Sequence, residues 1–263
     1  MITSSLISLC EEYKKLLKTG LNHAKINSVL FGLENNNPNF SLAYSYYKAI
    51  RETNLDIKLI PVKREGQGLN SGDVSEQMHL SATAIRNNIN DKKIEKYLSK
   101  EMFVDLKKEN IASEAELFPY LKYKILTLGK AGIEKIYDVS EGLENRIYEA
   151  SLKVENYSDL VNLIATKRYS NKKIQRALLH ILTNTTKEDY KKYFSTNNFR
   201  VLAVKKDKAA IIREINREGK IILHPLLNSK NSMNFEHDIK VARIYELLFS
   251  KKDIFRENIQ IID

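Results

Sequence analysis

Five apolar residues after Ser170, namely Ile174, Ala177, Leu178, Ile181 and Leu182, recur at helical spacing and share one side of a helical wheel. Such a stripe has to be covered. The stretch from Ser170 to about Leu182 therefore predicts a helix capped by the Ser170 hydroxyl and packed on other elements. The opposite side carries Lys172, Lys173, Arg176 and His180. Lys167 and Arg168 precede the helix in a turn, and Tyr169 lies between. From Thr166 to Lys192 there are eight basic residues and two acidic ones. Most charge runs are solvated faces. A one-sided basic ridge with an adjoining aromatic also suits an RNA backbone and one stacked base.

The rest of the chain reads as α/β. Ile26, Val29, Leu30 and Leu33 mark a helix from Asn22 to Leu33, broken by the run Asn35 to Asn39, and a second helix follows from about Ser41 to Thr53. Ile57 to Val62 reads as a strand, with Pro61 at its end or on an edge. A polar loop runs from Arg64 to about Gln77, in which Gly66 and Gly68 are turn residues. From about Lys92 to Phe194 the pattern is mainly helical. Arg200 to Val204 and Ile221 to His224 read as strands flanking a helix from Ala209 to Glu218, a spacing that suits a βαβ crossover. A last helix is expected from Asp238 to Leu248.

The charge balance narrows the partners. The chain has 263 residues and a net charge of +10. Clustered Lys and Arg gain affinity for polyanions by releasing phosphate counterions. Cys10 is the sole cysteine, which excludes an internal disulfide framework and a cysteine metal site. Met1 to Leu9 lacks a basic leader and runs into Glu11 and Glu12, so no signal peptide is read there. No window approaches the roughly 20 apolar residues that span a bilayer. The expectation is a cytoplasmic protein with no membrane association.

The chemistry-bearing element is His79-Leu80-Ser81-Ala82-Thr83-Ala84-Ile85-Arg86. Ser81 is a good N-cap, and Leu80 and Ile85 occupy hydrophobic-staple positions. That much describes a well-capped surface helix. The functional reading adds that a helix start offers free N–H groups to anions, Thr83 a hydroxyl and Arg86 a fork for phosphate oxygens. Glu141, Glu144 and Asn145 lie near another predicted helix start. Acidic residues there complement the macrodipole, so a structural cap is favoured over a carboxylate pair.

The Ser81 to Arg86 element resembles the ISSTxxR-type motif of the HxGH nucleotidyltransferase superfamily. More closely, the chain resembles the bacterial tRNA(Met) cytidine acetate ligase family. The resemblance is carried by Pro38-Asn39, Arg64, Ser81 to Arg86, Glu141 to Ile147, Thr166 to Tyr169, Ile174-Gln175-Arg176 and Asp238-Ile239-Lys240, in that order. It implies the C-terminal portion of a Rossmann-like ATP-binding nucleotidyltransferase domain over 1–105. A mainly helical tRNA-binding region with a small βαβ-like unit follows over 106–263. It also implies an ATP-dependent reaction that activates acetate as acetyl-adenylate and acetylates N4 of the wobble cytidine of elongator tRNA(Met). Asn39, Arg64, Ser81, Thr83 and Arg86 are then the ATP contacts, and Mg²⁺ comes with the nucleotide. Lys167, Arg168, Lys172, Lys173 and Arg176 are the tRNA contacts.

The family's HxGH loop has no counterpart in these residues: His23, His79, His180, His224 and His237 are scattered. No catalytic residue is assigned, and the loop's donors would have to come from a separate HxGH-bearing segment. Two alternatives stay open. One is a non-catalytic tRNA-binding remnant, and the other a nucleotidyltransferase acting on a small metabolite.

Overall fold

The computed structural model describes residues 11–21, 23–32, 38–62, 65–66, 72–74, 79–108, 113–140, 142–248, 255 and 259–262. The chain forms two compact units, Met1–Leu17 with His23–Ala112, and Lys18–Asn22 with Ser113–Asp263.

In the first unit residues 11–17 are helical, followed by α1 (His23–Leu30) and α2 (Pro38–Thr53). Helix α2 begins earlier than the pattern predicts because Pro38 is suited to a first helical position, where its missing N–H is not needed. Ile26 is buried as expected, whereas Val29 is exposed, and Leu33 lies outside the described residues.

Ile57 to Val62 forms no strand. The Ile57 N–H donates to the Leu55 carbonyl at 3.0 Å, a three-residue turn, and Ile57, Leu59, Ile60 and Val62 are all exposed. A strand exists only through its ladder, and among the described residues none pairs with this segment. Beyond it come α3 (Ala82–Asn87), a 3₁₀ turn at Lys92–Tyr97 and α4 (Lys100–Lys108).

The second unit begins with α5 (Glu114–Glu134). Its capping box is complete: the Ser113 hydroxyl accepts from the Ala115 N–H, and Glu116 accepts from the Ser113 N–H. Gly129, at φ 60° and ψ 178°, kinks α5, a backbone geometry reserved for glycine. Helices α6 (Leu143–Ser151), α7 (Tyr157–Ile164), α8 (Asn171–Leu182) and α9 (Lys187–Phe194) follow. Phe118, Leu121 and Ile125 of α5 pack with Leu143 and Ile147, Leu160 and Ile164, and the whole stripe of α8. Burying each such side chain contributes roughly 1.5–3 kcal/mol. Arg146 donates to the carbonyls of Leu163 and Ile164, supplying a cation to the end of α7, where the helix dipole is negative.

The run from Arg200 to Val204 is two strands, not one. β1 (Asn198–Arg200) pairs parallel with β3 (Ile222–His224) across α10 (Ala210–Glu218), as the βαβ spacing predicts. β2 (Ala203–Lys205) pairs parallel with β4 (Gln260–Ile262). The switch of partner falls between adjacent residues. The Val201 N–H donates to the His224 carbonyl, and the Leu202 carbonyl accepts from the Gln260 N–H. Helix α11 (Glu236–Tyr245) closes the described order of helices, two residues ahead of its predicted start, and runs on as a 3₁₀ turn to Leu248.

Candidate functional site

In the first unit the Ser81 turn is formed as its sequence dictates. Ser81 is the N-cap of α3, and its Oγ accepts from the Ala84 N–H at 2.9 Å. It is fully buried. Thr83 is half-buried and Arg86 exposed, so the hydroxyl and the guanidinium fork that suit phosphate oxygens are the accessible members. Gly66 closes on the start of this turn: a Cβ added there would meet the His79 carbonyl oxygen at 2.7 Å. The Asn88 amide donates to the Gly72 carbonyl at 2.9 Å, which ties Gly72 to the end of α3. Asn39 is exposed in the first turn of α2, a different helix. Arg64 and Glu141 lie outside the described residues. Among the described residues no three His, Cys, Asp or Glu side chains converge as a metal site, and no helix is long and apolar enough to cross a membrane.

In the second unit α8 presents its two faces as expected. Ile174, Ala177, Leu178 and Ile181 are fully buried, and Ser170 caps the helix through the Lys173 N–H. Lys167, Arg168, Lys172 and Arg176 are exposed, and Lys173 is half-buried. The ridge is not a row of free cations. Arg176 Nε lies 3.3 Å from Asp138 Oδ2. His180 Nε2 is 3.9 Å from the same carboxylate, but burial outweighs that attraction and lowers the His180 pKa. It is neutral at pH 7 and adds no charge to the ridge. Glu144 sits in the first turn of α6 and accepts from the Asn145 amide; the N-cap of that helix is Gly142, with no side-chain cap.

Tyr169, the expected stacking aromatic, is buried. Its hydroxyl reaches the Ser140 carbonyl at 3.4 Å, and Lys173 and Arg168 cover its ring at 5.0 and 5.9 Å. An aromatic stack with one exposed end lies elsewhere. Tyr137 and Tyr190 stack with centroids 3.6 Å apart and planes 7° from parallel, and Phe194 continues the stack at 5.9 Å. The Tyr137 and His180 rings meet in a T-shaped contact with centroids 5.2 Å apart. Hydrogen bonding to Tyr190, reinforced by burial, pushes the Tyr137 hydroxyl up to about 12, so it stays protonated. The sequence signal for this group is faint: Tyr190 and Phe194 are four apart on α9, and Tyr137 sits in a distant turn. A groove of about 910 Å³ lies on the other side of α9, where Lys192, Lys240 and Arg243 rim Ile239, Ile244 and Leu247.

A family profile described as HIGH Nucleotidyl Transferase matches residues 3–259. Among curated proteins, the tRNA(Met) cytidine acetate ligase of Thermoanaerobacter sp. (strain X514) is 30% identical, with 92% of this chain and 65% of that protein covered. The protein of the same name from Staphylococcus carnosus is 29% identical, with 90% and 63% covered. The chain thus spans just under two thirds of the length of these relatives. Among solved structures, apo Thermotoga maritima TmcAL superposes with a TM-score of 0.77 at 18% identity, covering 92% of this chain and 66% of that one. The α-thio ATP-bound form of that protein superposes with a TM-score of 0.75, also at 18% identity, covering 95% and 67%. The mixed α/β fold, mostly helical with parallel strands, is the fold of these neighbours.

Proposed function

Because the chain belongs to the HIGH nucleotidyl transferase family, we propose that it serves the ATP-dependent ligation of acetate to tRNA, acetylating N4 of the wobble cytidine of elongator tRNA(Met). The observation that carries this reading is the basic face of α8, set opposite a fully buried apolar face on the same helix. A helix locked by its core side holds its cations in fixed register, which suits a regular phosphate backbone. Lys167, Arg168, Lys172, Lys173 and Arg176 are the proposed tRNA contacts.

The ATP side rests on the turn at α3. Thr83 and Arg86 are the proposed donors to phosphate oxygens, and Ser81 holds the turn that presents them. Asn39 and Arg64 are assigned beside them from the family pattern, and Mg²⁺ enters with the nucleotide. ATP, when bound, supplies the activation that makes acetate an acyl donor. The work takes place in the cytoplasm, with tRNA and acetate as partners and an HxGH-bearing segment completing the donor set.

A second reading, a tRNA-binding protein without chemistry of its own, is favoured by Ser81, whose hydroxyl is sequestered in the cap. One experiment separates the two. The chain is incubated with ATP, acetate and elongator tRNA(Met), with and without an added HxGH-bearing segment, and acetylcytidine is measured by mass spectrometry. Product supports the ligase. Salt-sensitive tRNA binding with no product in either arm supports the second reading. Absence of both overturns both.

A further inference from the structure

The Tyr137, Tyr190 and Phe194 rings form a column whose outer end is open. Tyr137 and Tyr190 are half-buried, whereas Phe194 is 80% exposed. The column is built by design of the backbone around it. Residues 135–137 run against 185–187: the Tyr137 N–H donates to the Thr185 carbonyl, and the Lys187 N–H to the Lys135 carbonyl, each at 3.0 Å. A capping box fixes the first turn of α9, with Thr186 Oγ1 accepting from the Asp189 N–H and Asp189 accepting from the Thr186 N–H. Tyr190 is thereby set on Tyr137, and Phe194, one turn later, on Tyr190.

The foot of the column is the foot of the basic ridge. Asp138, next to Tyr137, holds Arg176, and the Tyr137 ring meets His180 of the same helix. Lys191 lies exposed on α9, one turn before Phe194 and the outer end of the column. Cations that track a phosphate backbone therefore lead to an exposed ring that lengthens a stack, the two parts of a single-strand binding surface.

We infer that the Tyr137–Tyr190–Phe194 column is a stacking platform that takes an unpaired nucleobase of single-stranded RNA on the Phe194 ring. This rests on the RNA-binding reading above and adds to it a base-contacting site distinct from the phosphate-contacting cations. Stacking accepts any base, because every base offers a π-face, so the platform selects unpaired over paired RNA rather than one sequence.

The test uses the full chain, a fluorescent oligo(A) and a blunt RNA duplex of equal length. Phe194→Ala is expected to weaken oligo(A) binding by about 5- to 100-fold while leaving duplex binding and the salt slope unchanged, since no cation is removed. Phe194→Trp restores affinity. The chain has no tryptophan, so this variant carries a sole indole whose fluorescence is quenched by oligo(A) and not by the duplex. Circular dichroism of both variants checks that the fold is kept. Equal oligo(A) affinity of wild type and Phe194→Ala, or an unquenched indole at saturation, overturns the platform and leaves the RNA-binding reading standing. Failure of the wild type to bind either RNA at low salt overturns both.

Discussion

Asp138 holds Arg176: the guanidinium Nε lies 3.3 Å from the carboxylate Oδ2, on a turn whose φ of 66° at Asp138 aims the side chain at α8. The carboxylate orients a cation of the ridge and partly cancels it.

Removing that carboxylate's charge is expected to release Arg176 to the RNA. Asp138→Asn should raise tRNA affinity and steepen the dependence of log K on log salt by up to about 0.9, the increment for one more phosphate contact. Fluorescence anisotropy titrations at several salt concentrations measure both quantities. An unchanged slope would show that Arg176 makes no phosphate contact.

Charge reversal on the ridge should act the other way. With Lys172, Lys173 and Arg176 changed to Glu, tRNA binding is expected to fall by more than an order of magnitude at moderate salt, with a shallower salt slope. Their side chains stand opposite the buried stripe of α8, so the melting temperature should stay within a few degrees. If tRNA binding persists, the target is a small metabolite.

Ser81 separates structure from ligand contact. Its Oγ accepts from Ala84 in a fully buried cap, so Ser81→Ala should cost about 0.5–2 kcal/mol of stability. Thr83→Ala and Arg86→Ala should leave stability nearly unchanged and weaken ATP binding. Thermal unfolding and calorimetric nucleotide titration of the three variants read the difference. Lost ATP binding at an unchanged melting temperature in Ser81→Ala would make Ser81 a ligand contact instead of a cap.

Acid should destabilise the fold before its carboxylates titrate. Burial lowers the pKa of His180, His224 and His237. In its Nε2–H tautomer the neutral His224 ring donates to Asn198 Oδ1 at 2.8 Å and accepts from the Asn231 amide at Nδ1. Just below pH 6.5 the unfolded chain binds protons at these histidines that the folded chain does not, so stability rises with pH there. It is full above about pH 6.5 and is lost as pH falls toward the lowered folded values. Melting temperatures from pH 7.5 to 5.5 should decline, and His224→Gln should flatten the decline. Asp189, whose pKa is lowered chiefly by the Thr186 backbone N–H, contributes a separate loss below about pH 4.

What the sequence disclosed follows from how local each cause is. Ser170, Ile174 and Lys172 specify α8 within a dozen residues, and both faces are found as read. Ser81 caps its helix because the partner N–H is three residues away. Ile57 to Val62 has the composition of a strand, but pairing needs a neighbour that composition does not supply. Arg200 to Val204 has the right propensity throughout, yet its partner changes from β3 to β4 between Val201 and Leu202. Tyr169 is covered although it reads as an open stacking ring, and Phe194, to which the sequence assigns no role, is exposed, because whether an aromatic ring is covered depends on distant contacts such as that of Ser140 with Tyr169.

The parallel pairing of β2 with β4 bears on how the protein is made. Each of the helices α5 to α8 packs against a helix synthesised shortly before or after it, so that layer can consolidate while translation continues. Ala203 to Lys205 cannot pair until Gln260 to Ile262 have left the ribosome, and until then the outer edge of β2 is an unsatisfied template. The basic face of α8 is thus complete on the nascent chain before the β2–β4 sheet exists.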